Sequence, residues 1–582
     1  MIKCYICQDS NNNQYYGIIM VQMNKEIEIE VQATGAQRVY PVGITPMEIY
    51  EAEGLELPNS PMGLPMLALV DNKPTPLSHP LHRPSFVDFV GYETPYGRRT
   101  YTSTVALILY KAAEELGYPR VVVEHALSNG YYGVVGSRET PPSHDLLESI
   151  ATRMKEIIAQ DLPINTTYLR SEEAIAYFIR KGRPTTAQLI ESHCTHFARL
   201  EELDGYIDYI FEPVLPSTGM VWGFGLEKYR DGFLLRMPDH LAPEKLYDKV
   251  RQPKQFGVFK DHLSLLKLIG VEDVAPLNEL IRQGKASQVI SLSEALQEKE
   301  IASIASEIAE RYEKGVRVVL LSGPSSSGKT TTSKRLSTQL IANLTWPYAI
   351  SLDDYYINRV DTPLDEEGKY DYESLYAIDL PKLREDVALL MAGEKVHIPT
   401  YNFVKGEREY LPGKEMKLEN HGVLIMEGIH ALNPELLRGI PEEAIYRVYV
   451  SALSPLSIDD HNWISTSDNR LIRRMVRDMK FRGTSAEETI LRWQEVRRGE
   501  EQWIFPYQEN ADVMFNSGFL YEMPALKEQA VSALRQVCEK SPAYPTASRL
   551  LTFLDLFESL PMESTPRNSL LREFLGGSTY GD

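Results

Sequence analysis

The sequence predicts a multidomain α/β protein whose C-terminal half contains a doubly wound parallel sheet. The chain of 582 residues exceeds the size at which a single hydrophobic core stops growing. A glycine-rich loop over residues 323–330 stands between a short β run and a helical stretch. From about residue 316, β-branched runs alternate with helical stretches, as in a sheet covered by helices on both faces. These runs are VRVVLLS, WPYAISL, GVLIMEG, AIYRVYV and ADVMFNS.

Composition and charge are those of an ordinary folded protein, and the charge limits the kinds of partner that it can bind. Apolar residues make up 43% of the chain and charged residues 24%, without low-complexity bias. The net charge of −20 argues against a general nucleic-acid or anionic-membrane binder, because such proteins need a surface rich in Lys and Arg. The N-terminus MIKCYICQDS lacks the pattern of a signal peptide, and no apolar run reaches the length of a membrane span. We therefore expect a cytoplasmic protein that is neither membrane-bound nor a general nucleic-acid binder.

The cysteines are too few and too scattered for a disulfide framework. They are Cys4, Cys7, Cys194 and Cys538. A zinc ion shared between Cys4-x-x-Cys7 and the stretch His193-Cys194-Thr195-His196 is one interpretation. The two pairs are far apart in the sequence and lack the compact spacing of structural zinc modules, so we favour the interpretation without a metal.

The chain divides into five segments of different character. We expect a small β-rich module over residues 1–85, a mixed α+β region over 86–250, a helical connector over 251–312, the parallel-sheet domain over 313–540 and a helical extension over 541–582. The first module alternates apolar and polar side chains in IEIEVQ and ends in a Pro-rich linker over 74–84. The second contains a helix at STVALILYKAAEELG and a turn at SNGYYG. The extension contains two apolar helical patterns, SRLLTFLDLFESL and SLLREFLGG.

The glycine-rich loop matches the pattern G-x-x-x-x-G-K-[ST] in full, in the required context of strand and helix. Its backbone N–H groups can converge on phosphate oxygens, Lys329 can bridge the β and γ phosphates, and the Thr330 hydroxyl can ligate Mg²⁺. We therefore expect ATP and Mg²⁺ to bind here. The expected ATP-binding residues are Gly323, Ser325, Ser326, Ser327, Gly328, Lys329, Thr330 and Thr331.

Two carboxylates follow other strands of the predicted sheet. Asp353, in SLDDYY, comes after the second strand, where it could accept a hydroxyl proton beside the γ-phosphate. An Asp at such a position is also a common helix cap. Glu427, in MEGI after the third strand, stands where a metal-side acid is expected, with a solvated turn as the alternative. We expect Thr330, Glu427 and Asp353 to lie at the Mg²⁺ site.

A basic cluster interrupts the acidic background in RLIRRMVRDMKFR, residues 470–482. Arg474 and Arg477 are three residues apart and therefore share a helix face. Arginines that close over a transferring phosphoryl group would stabilise its charge, whereas a solvated basic helix is the alternative. We expect Arg474 and Arg477 to be catalytic together with Lys329 and Asp353.

In combination these motifs resemble the uridine kinase branch of the phosphoribulokinase/uridine kinase family. GPSSSGKTTTSKRL, SLDDYYINR, KYDYESLYA, VHIPTYNFV, LIMEGIHAL, RLIRRMVRDMKFRG and ENADVMF follow one another in the order of that family over residues 323–515. The resemblance implies transfer of a phosphoryl group from ATP to the 5′-hydroxyl of a nucleoside. It implies Asp353 as general base, Asp371 on the ribose hydroxyls, Tyr356 beside the sugar, Tyr401 and Phe403 as walls of the base pocket, Arg474, Arg477 and Arg482 on the phosphates, and Glu427 on the metal side.

The resemblance is incomplete on the acceptor side. Gly406 stands where the family's uridine and cytidine kinases carry a base-reading His, Thr484 replaces the second Arg of Arg-Gly-Arg, and Arg492 replaces a helical Gln. Phosphoryl transfer is therefore expected, while the identity of the nucleobase in the acceptor is left open. The alternatives are a kinase for another hydroxyl acceptor such as a sugar phosphate, and a nucleotide-dependent RNA- or ribosome-associated protein. The oligomeric state, including a homo-oligomer, is also open.

The N-terminal half resembles a different family, the TGS module and second additional, editing-like domain of threonyl-tRNA synthetase. The resemblance is carried by HALSNGYYG and DYIFEPVLPSTGMV. It implies a β-grasp-like module followed by an α+β region. The family's metal-binding and catalytic side chains align here with Thr102, Ala106, Ile210 and Val214. Without imidazole or thiolate no group can bind a metal or activate water, so we expect a binding, regulatory or assembly scaffold and no editing.

Overall fold

The structure is a computed structural model, and it describes residues 25–365, 368–454 and 456–581. Its strands are β1 (Glu26–Val31), β2 (Ala36–Pro41), β3 (Leu67–Val70), β4 (Lys73–Thr75), β5 (Ser85–Val90), β6 (Val121–Leu127), β7 (Gly130–Val135), β8 (Ile164–Arg170), β9 (Phe197–Leu203), β10 (Tyr206–Asp208), β11 (Gly225–Tyr229), β12 (Gly232–Arg236), β13 (Val318–Ser322), β14 (Trp346–Ser351), β15 (Lys395–His397), β16 (Thr400–Asn402), β17 (Glu407–Glu409), β18 (Glu415–Lys417), β19 (Gly422–Glu427), β20 (Ile445–Ser451), β21 (Ser457–Asp459), β22 (Asn462–Trp463) and β23 (Val513–Asn516). Its helices are α1 (Pro46–Ala52), α2 (Pro95–Glu115), α3 (His144–Ala159), α4 (Ser171–Arg180), α5 (Pro184–Ser192), α6 (Pro253–Ile269), α7 (Val274–Arg282), α8 (Ala286–Tyr312), α9 (Lys329–Ala342), α10 (Leu380–Met391), α11 (Thr466–Phe481), α12 (Ala486–Trp503), α13 (Glu522–Leu534), α14 (Tyr544–Asp555) and α15 (Arg572–Leu575).

The first sheet has the strand order β2-β1-β5-β3-β4, with β1 and β5 parallel. Strand β5 is central in this sheet because it pairs with both β1 and β3. Its alternating burial places Val87 and Phe89 in the core. Strand β5 thus continues the first sheet past the boundary expected at residue 85, and the Pro-rich segment 74–84 begins within β4 and then connects β4 to β5. Residues 1–24 of the expected module, with Cys4 and Cys7, lie outside the described residues.

The α+β region that follows is built on two antiparallel sheets, with strand orders β11-β12-β7-β6 and β10-β9-β8. The long helix α2 is buried over most of its length. The turn expected over SNGYYG is shorter than its sequence suggests, because only Ser128 and Asn129 adopt positive φ, 53° and 55°. Two consecutive residues of this kind make the tight hairpin turn that matches strand twist, so the chain returns at once as β7.

The C-terminal sheet is entirely parallel, with the order β14-β19-β13-β20-β23. Its strands are the five β-branched runs predicted from the sequence, which confirms the parallel α/β prediction for this part of the chain. Glu427 at the end of β19 is in register with Ser351 at the end of β14 and with Leu321 near the end of β13. The loops after these three strands therefore open at one edge of the sheet, where ligands of such sheets bind.

The hairpin β21–β22 of the C-terminal half is packed into the N-terminal α+β region. The ring of His461 stacks on that of Tyr110 with centroids 3.6 Å apart, and its Nδ1 lies 2.6 Å from the Asp208 carboxylate. The side chain of Asn462 accepts a hydrogen bond from the backbone of Phe211 (2.8 Å). Buried polar contacts of this kind fix the orientation of the two halves relative to each other.

The C-terminal extension crosses both halves. Helix α14 packs on strand β4 and helix α13, and the hydroxyls of Tyr96 and Thr546 are 2.5 Å apart. The chain then turns back to the glycine-rich loop over residues 323–330, called the phosphate loop below, and α15 lies against α11. The helix expected over SLLREFLGG is reduced to the single turn of α15, because Gly576 and Gly577 continue with positive φ.

Two properties of the described residues bear on membranes and metals. Within the three described ranges, no helix combines the length and the apolar character needed to cross a bilayer. In the same ranges, no group of three or more His, Cys, Asp or Glu side chains is arranged to hold a metal ion, and Cys194 is exposed.

Candidate active site

The loop between β13 and α9 has the geometry of a phosphate cradle. Gly323 lies so close to β20 that a Cβ on it would stand 2.1 Å from the carbonyl oxygen of Val450. Gly328, the residue directly before α9, has a φ of 86°, a conformation that strains residues with a side chain. The hydroxyls of Ser326 and Ser327 are buried and find no hydrogen-bond partner among the described residues. Buried donors without partners are rare, and these two fit the oxygens of a bound phosphate.

An ion pair between Arg470 and Glu500 supports the loop from behind. Glu500 accepts a hydrogen bond from the backbone N–H of Ser325 (3.0 Å), and Arg470 donates to the carbonyl oxygen of the same residue (3.1 Å). Burial alone would raise the pKa of Glu500, but the guanidinium of Arg470 lowers it below its ordinary value.

Arg473 has a similar structural position. It pairs with Glu522 (2.6 Å) and donates to Ser517, whose hydroxyl in turn hydrogen-bonds the carbonyl oxygen of Ser327. Arg470 and Arg473 are therefore fixed to the protein, and they are not among the arginines predicted to meet the substrate.

The other arginines of the basic cluster lie nearer the cleft. Arg474 donates to the hydroxyl of Ser325 (2.8 Å), and burial lowers its pKa. Arg477 donates to Asp478 (2.8 Å). Arg482 is half exposed and lies 3.6 Å from the same carboxylate. The single carboxylate of Asp478 cannot neutralise the charge of all these arginines. Positive charge therefore remains at the mouth of the loop.

Lys329, Thr330 and Glu427 come together at the edge of the sheet. The ammonium of Lys329 donates to the carbonyl oxygens of Gly323 (2.9 Å) and Pro324 (3.0 Å). The hydroxyl of Thr330 donates to Glu427 at 3.1 Å. Burial raises the pKa of Glu427 to about 7, Lys329 opposes this, and Asp353 adds to it. Hydroxyl and carboxylate oxygens are the ligands that Mg²⁺ prefers, so the pair fits that ion.

The adjacent residues Asp353 and Asp354 have different environments. Asp354 accepts hydrogen bonds from the ammonium of Lys414 (2.8 Å) and the backbone N–H of Tyr401 (3.3 Å). The carboxylate of Asp353 has no such partner within the described residues and opens into the cleft. Loss of hydration raises its pKa, which Lys329 and Arg482 lower in part.

Tyr356, Tyr401 and Phe403, three residues expected on the acceptor side, form an aromatic cluster. The ring centroid of Tyr356 lies 5.6 Å from that of Tyr401 and 6.4 Å from that of Phe403, and the latter two are 5.0 Å apart. All three pairs are edge-to-face. Tyr401 is buried while Phe403 is 60% exposed. The cluster therefore offers an open apolar surface to a flat ligand.

Asp371 lies in the loop that leads to Glu373, a residue not singled out from the sequence. Asp371 accepts a hydrogen bond from the backbone N–H of Glu373 (3.1 Å). Burial raises the pKa of Glu373 to about 7, and Glu500 adds to this while Arg474 and Lys329 lower it. Glu373 is therefore close enough to Arg474 and Lys329 for their charges to act on it. The motif KYDYESLYA contains Glu373, but its position depends on packing against Gly499 of α12, which the motif does not encode.

Arg359 is a second residue that the sequence did not indicate. Its guanidinium lies over Gly406, where a Cβ would stand 2.8 Å from Nε, and it donates to the carbonyl oxygen of Phe403 (2.7 Å). Its Nε is buried without a partner in the described part of the chain. The space that Gly406 leaves next to the aromatic cluster is thus filled by Arg359. Of the other departures, Arg492 is exposed on α12.

In the N-terminal half, the four positions aligned with editing residues are buried in the protein core. Thr102 and Ala106 lie on α2, and Ile210 and Val214 follow β10. Their side chains contribute methyl groups and one hydroxyl to the core instead of lining an open site.

In a comparison with known protein families, residues 318–521 match the sequence model of the phosphoribulokinase/uridine kinase family. A uridine kinase of Deinococcus deserti is 30% identical over 215 residues, which are 36% of this chain and 91% of that protein. A uridine kinase of Halobacterium salinarum is 26% identical over 215 residues, 37% of this chain and 85% of that protein.

A solved structure of a possible uridine kinase from Bacillus stearothermophilus is 18% identical and covers 35% of this chain and 89% of that chain, with a TM-score of 0.24. These relatives match only about a third of this chain. The N-terminal half and the C-terminal extension lie outside residues 318–521.

Proposed function

The chain belongs to the phosphoribulokinase/uridine kinase family, and from that premise we propose that its acceptor is a nucleoside, phosphorylated at the 5′-hydroxyl. The family and its relatives make the protein an ATP-dependent phosphotransferase that acts on an alcohol and uses Mg²⁺. The family match by itself does not identify the acceptor as a nucleoside. That part of the proposal is supported by the residues on the acceptor side of the cleft.

The observation that carries the proposal is the position of the free Asp353 carboxylate. Its charge acts both on Lys329 of the phosphate loop and on Tyr356 of the aromatic cluster. A nucleoside whose base lies on the aromatic rings would place its sugar near Asp353. The carboxylate would then accept the hydroxyl proton as the oxygen attacks the γ-phosphate in line.

The remaining residues position the substrates and stabilise the charge on the transferred phosphoryl group. Lys329, Arg474, Arg477 and Arg482 supply positive charge where the phosphoryl oxygens gather negative charge. Thr330 and Glu427 would hold Mg²⁺, which supplies charge neutralisation between the phosphates. Asp371 and Glu373 would accept hydrogen bonds from sugar hydroxyls. Holding the two substrates in line supplies much of the rate enhancement in such enzymes.

A sugar phosphate is a second candidate acceptor, and the position of Arg359 is compatible with it. Its guanidinium presents donors beside the aromatic cluster, and Arg is well suited to phosphate oxygens. The same donors would also suit carbonyl oxygens of a nucleobase. Arg359 therefore matters for either acceptor, and only the acceptor panel separates the two.

The decisive experiment is ADP production by the purified protein with Mg²⁺-ATP over ribonucleosides, deoxyribonucleosides, sugar phosphates and a control without acceptor. Stimulation by one nucleoside, with appearance of its 5′-monophosphate, is the expected result. Stimulation by a sugar phosphate alone would replace the nucleoside with the second candidate. If no acceptor stimulates turnover, the nucleoside kinase proposal fails, and RNA binding with and without ATP becomes the next measurement.

For the N-terminal half the proposal is a scaffold that resembles the TGS and editing-like domains of threonyl-tRNA synthetase without their chemistry. The strand order β2-β1-β5-β3-β4 with a parallel central pair supports a β-grasp-like module. The burial of Thr102, Ala106, Ile210 and Val214 supports the absence of an editing site. The hairpin β21–β22 packed into this half supports a role in positioning the kinase domain.

A further inference from the structure

The C-terminal extension places a carboxylate on the phosphate loop. Glu573, in α15, accepts a hydrogen bond from the backbone N–H of Thr331 at 3.1 Å. Thr331 is the third residue of α9, directly after the Lys-Thr pair of the loop. The charge of Glu573 also acts on Lys329 and on Glu427. The carboxylate therefore lies among the groups that receive the nucleotide.

An apolar contact next to this hydrogen bond keeps the extension on the loop. Leu570 is fully buried, and it packs so tightly on Gly328 that a Cβ there would stand 2.5 Å from Leu570 Cδ2. Gly328 and Thr331 thus both contact the extension. The start of α9 and the glycine before it are therefore partly covered by residues of the same chain.

A carboxylate and a phosphate compete for this position on physical grounds. The first N–H groups of a helix have no intrahelical acceptor and carry partial positive charge, so they bind anions. A carboxylate that already accepts the N–H of Thr331 leaves that donor unavailable to a phosphate oxygen. Two negative groups at hydrogen-bond distance from one donor also repel each other. The unpartnered hydroxyls of Ser326 and Ser327 indicate independently that this loop is built for a ligand.

The backbone of the extension is held firmly, so the side chain of Glu573 is the part that has to move. Lys480 donates to the carbonyl oxygen of Leu575, and Lys334 donates to that of Tyr580 at 2.9 Å. The guanidinium of Arg473 lies 5.0 Å from the ring centroid of Phe574, which is fully buried. Rotation of the Glu573 side chain would free the N–H of Thr331 without unpacking α15.

We propose that Glu573 is an intramolecular competitor of the nucleotide, and that its carboxylate must leave the N–H of Thr331 before a phosphate group can bind there. The proposal rests on the ATP site of the proposed function and is independent of the acceptor. Residues 318–521 match the family, so this competitor belongs to a segment outside the matched part.

The test is calorimetric binding of ADP, AMP and adenosine to the full-length protein, without acceptor. The variants are Glu573→Gln, which keeps the shape and removes the charge, and Glu573→Ala, which removes the acceptor. Glu563→Gln is the matched control, because Glu563 is exposed on the same extension and makes no contact with the loop among the described residues. Thermal melting of all four proteins establishes that each is folded.

We expect both Glu573 variants to bind AMP and ADP about tenfold more tightly than the wild type, since a charged hydrogen bond no longer opposes the phosphate. Adenosine, which lacks a phosphate, should bind all proteins equally, and the control should match the wild type. Unchanged or weaker AMP binding in the Glu573 variants would overturn the proposal, and so would equal tightening of adenosine. Because no acceptor is present, an error in the acceptor assignment leaves these outcomes unaffected.

Discussion

Arg470 and Glu500 form a buried ion pair that holds one residue, Ser325: Glu500 accepts a hydrogen bond from its backbone N–H, and Arg470 donates to its carbonyl oxygen. Ser325 is part of the phosphate loop, while the two charged residues come from α11 and α12. The shape of the loop therefore depends on the packing of these helices as well as on its own glycines.

Replacing Glu500 by Gln should destabilise the protein and weaken ATP binding. The change leaves the guanidinium of Arg470 buried without its carboxylate, which costs about 3–5 kcal/mol in comparable pairs. Urea denaturation and ATP titration measure the two effects. Glu501→Gln is the control, because Glu501 is exposed and its ion pair in the described part of the chain is a surface pair with Arg497. A Glu500→Gln protein as stable as this control would contradict the structural importance of the pair.

The stability of the protein should fall at acid pH through Asp468. This buried residue accepts hydrogen bonds from Arg99 of α2 (2.9 Å) and from Arg549 of α14 (2.7 and 3.0 Å). Burial alone would raise the pKa of Asp468, but the two guanidiniums lower it below its ordinary value. A carboxyl with a lowered pKa in the folded state stabilises fully above its unfolded pKa of about 4, and this contribution is lost as the pH falls through the folded pKa.

Urea denaturation between pH 7 and pH 3 measures this contribution. Asp468→Asn should be less stable than the wild type at pH 7, and the difference should shrink as the pH falls below about 4. Asp555→Asn, an exposed residue of α14, should follow the wild type at every pH. A constant difference between Asp468→Asn and wild type over the whole range would show that proton binding at Asp468 is not linked to folding.

The neighbours Asp353 and Asp354 provide a matched pair for the catalytic base. Asp353→Asn should lower turnover about 10²- to 10⁴-fold with ATP affinity retained, the range for loss of a general base. Asp354→Asn should act mainly on the acceptor, because it loosens Lys414 and the strand that carries Tyr401. Steady-state kinetics in both substrates distinguish the two. Unchanged kcat in Asp353→Asn would remove Asp353 from the role of base.

Arg359→Ala should raise KM for the acceptor and leave KM for ATP unchanged. The side chain contacts Phe403 and Gly406 on the acceptor side and has no contact with the phosphate loop among the described residues. Steady-state kinetics with the best acceptor of the panel measure the KM for the acceptor and the KM for ATP. Arg438→Ala is the control, since Arg438 is 76% exposed. An equal rise in both KM values would indicate a general loss of structure instead of acceptor recognition.

The parallel sheet and the phosphate loop could be predicted because their signals are local. Each strand is a short β-branched run, and the spacing of the two glycines, Lys329 and Thr330 is contained within eight residues. Because the strands are parallel, their carboxyl ends meet at one edge of the sheet, where Glu427 pairs with Ser351. That strand β5 belongs to the first sheet could not be predicted locally, because it follows from pairing with β1 and β3, which are separate segments of the chain.

The sequence by itself determined the fold class of the C-terminal half and the residue types that line its cleft. Only the tertiary structure separated residues that look alike in sequence. Arg470 and Arg474 lie on one helix face, yet one is bound to Glu500 and the other to the hydroxyl of Ser325. Glu573 reaches Thr331 across more than two hundred residues of chain. Such contacts depend on how separate segments pack, and no local pattern encodes that packing.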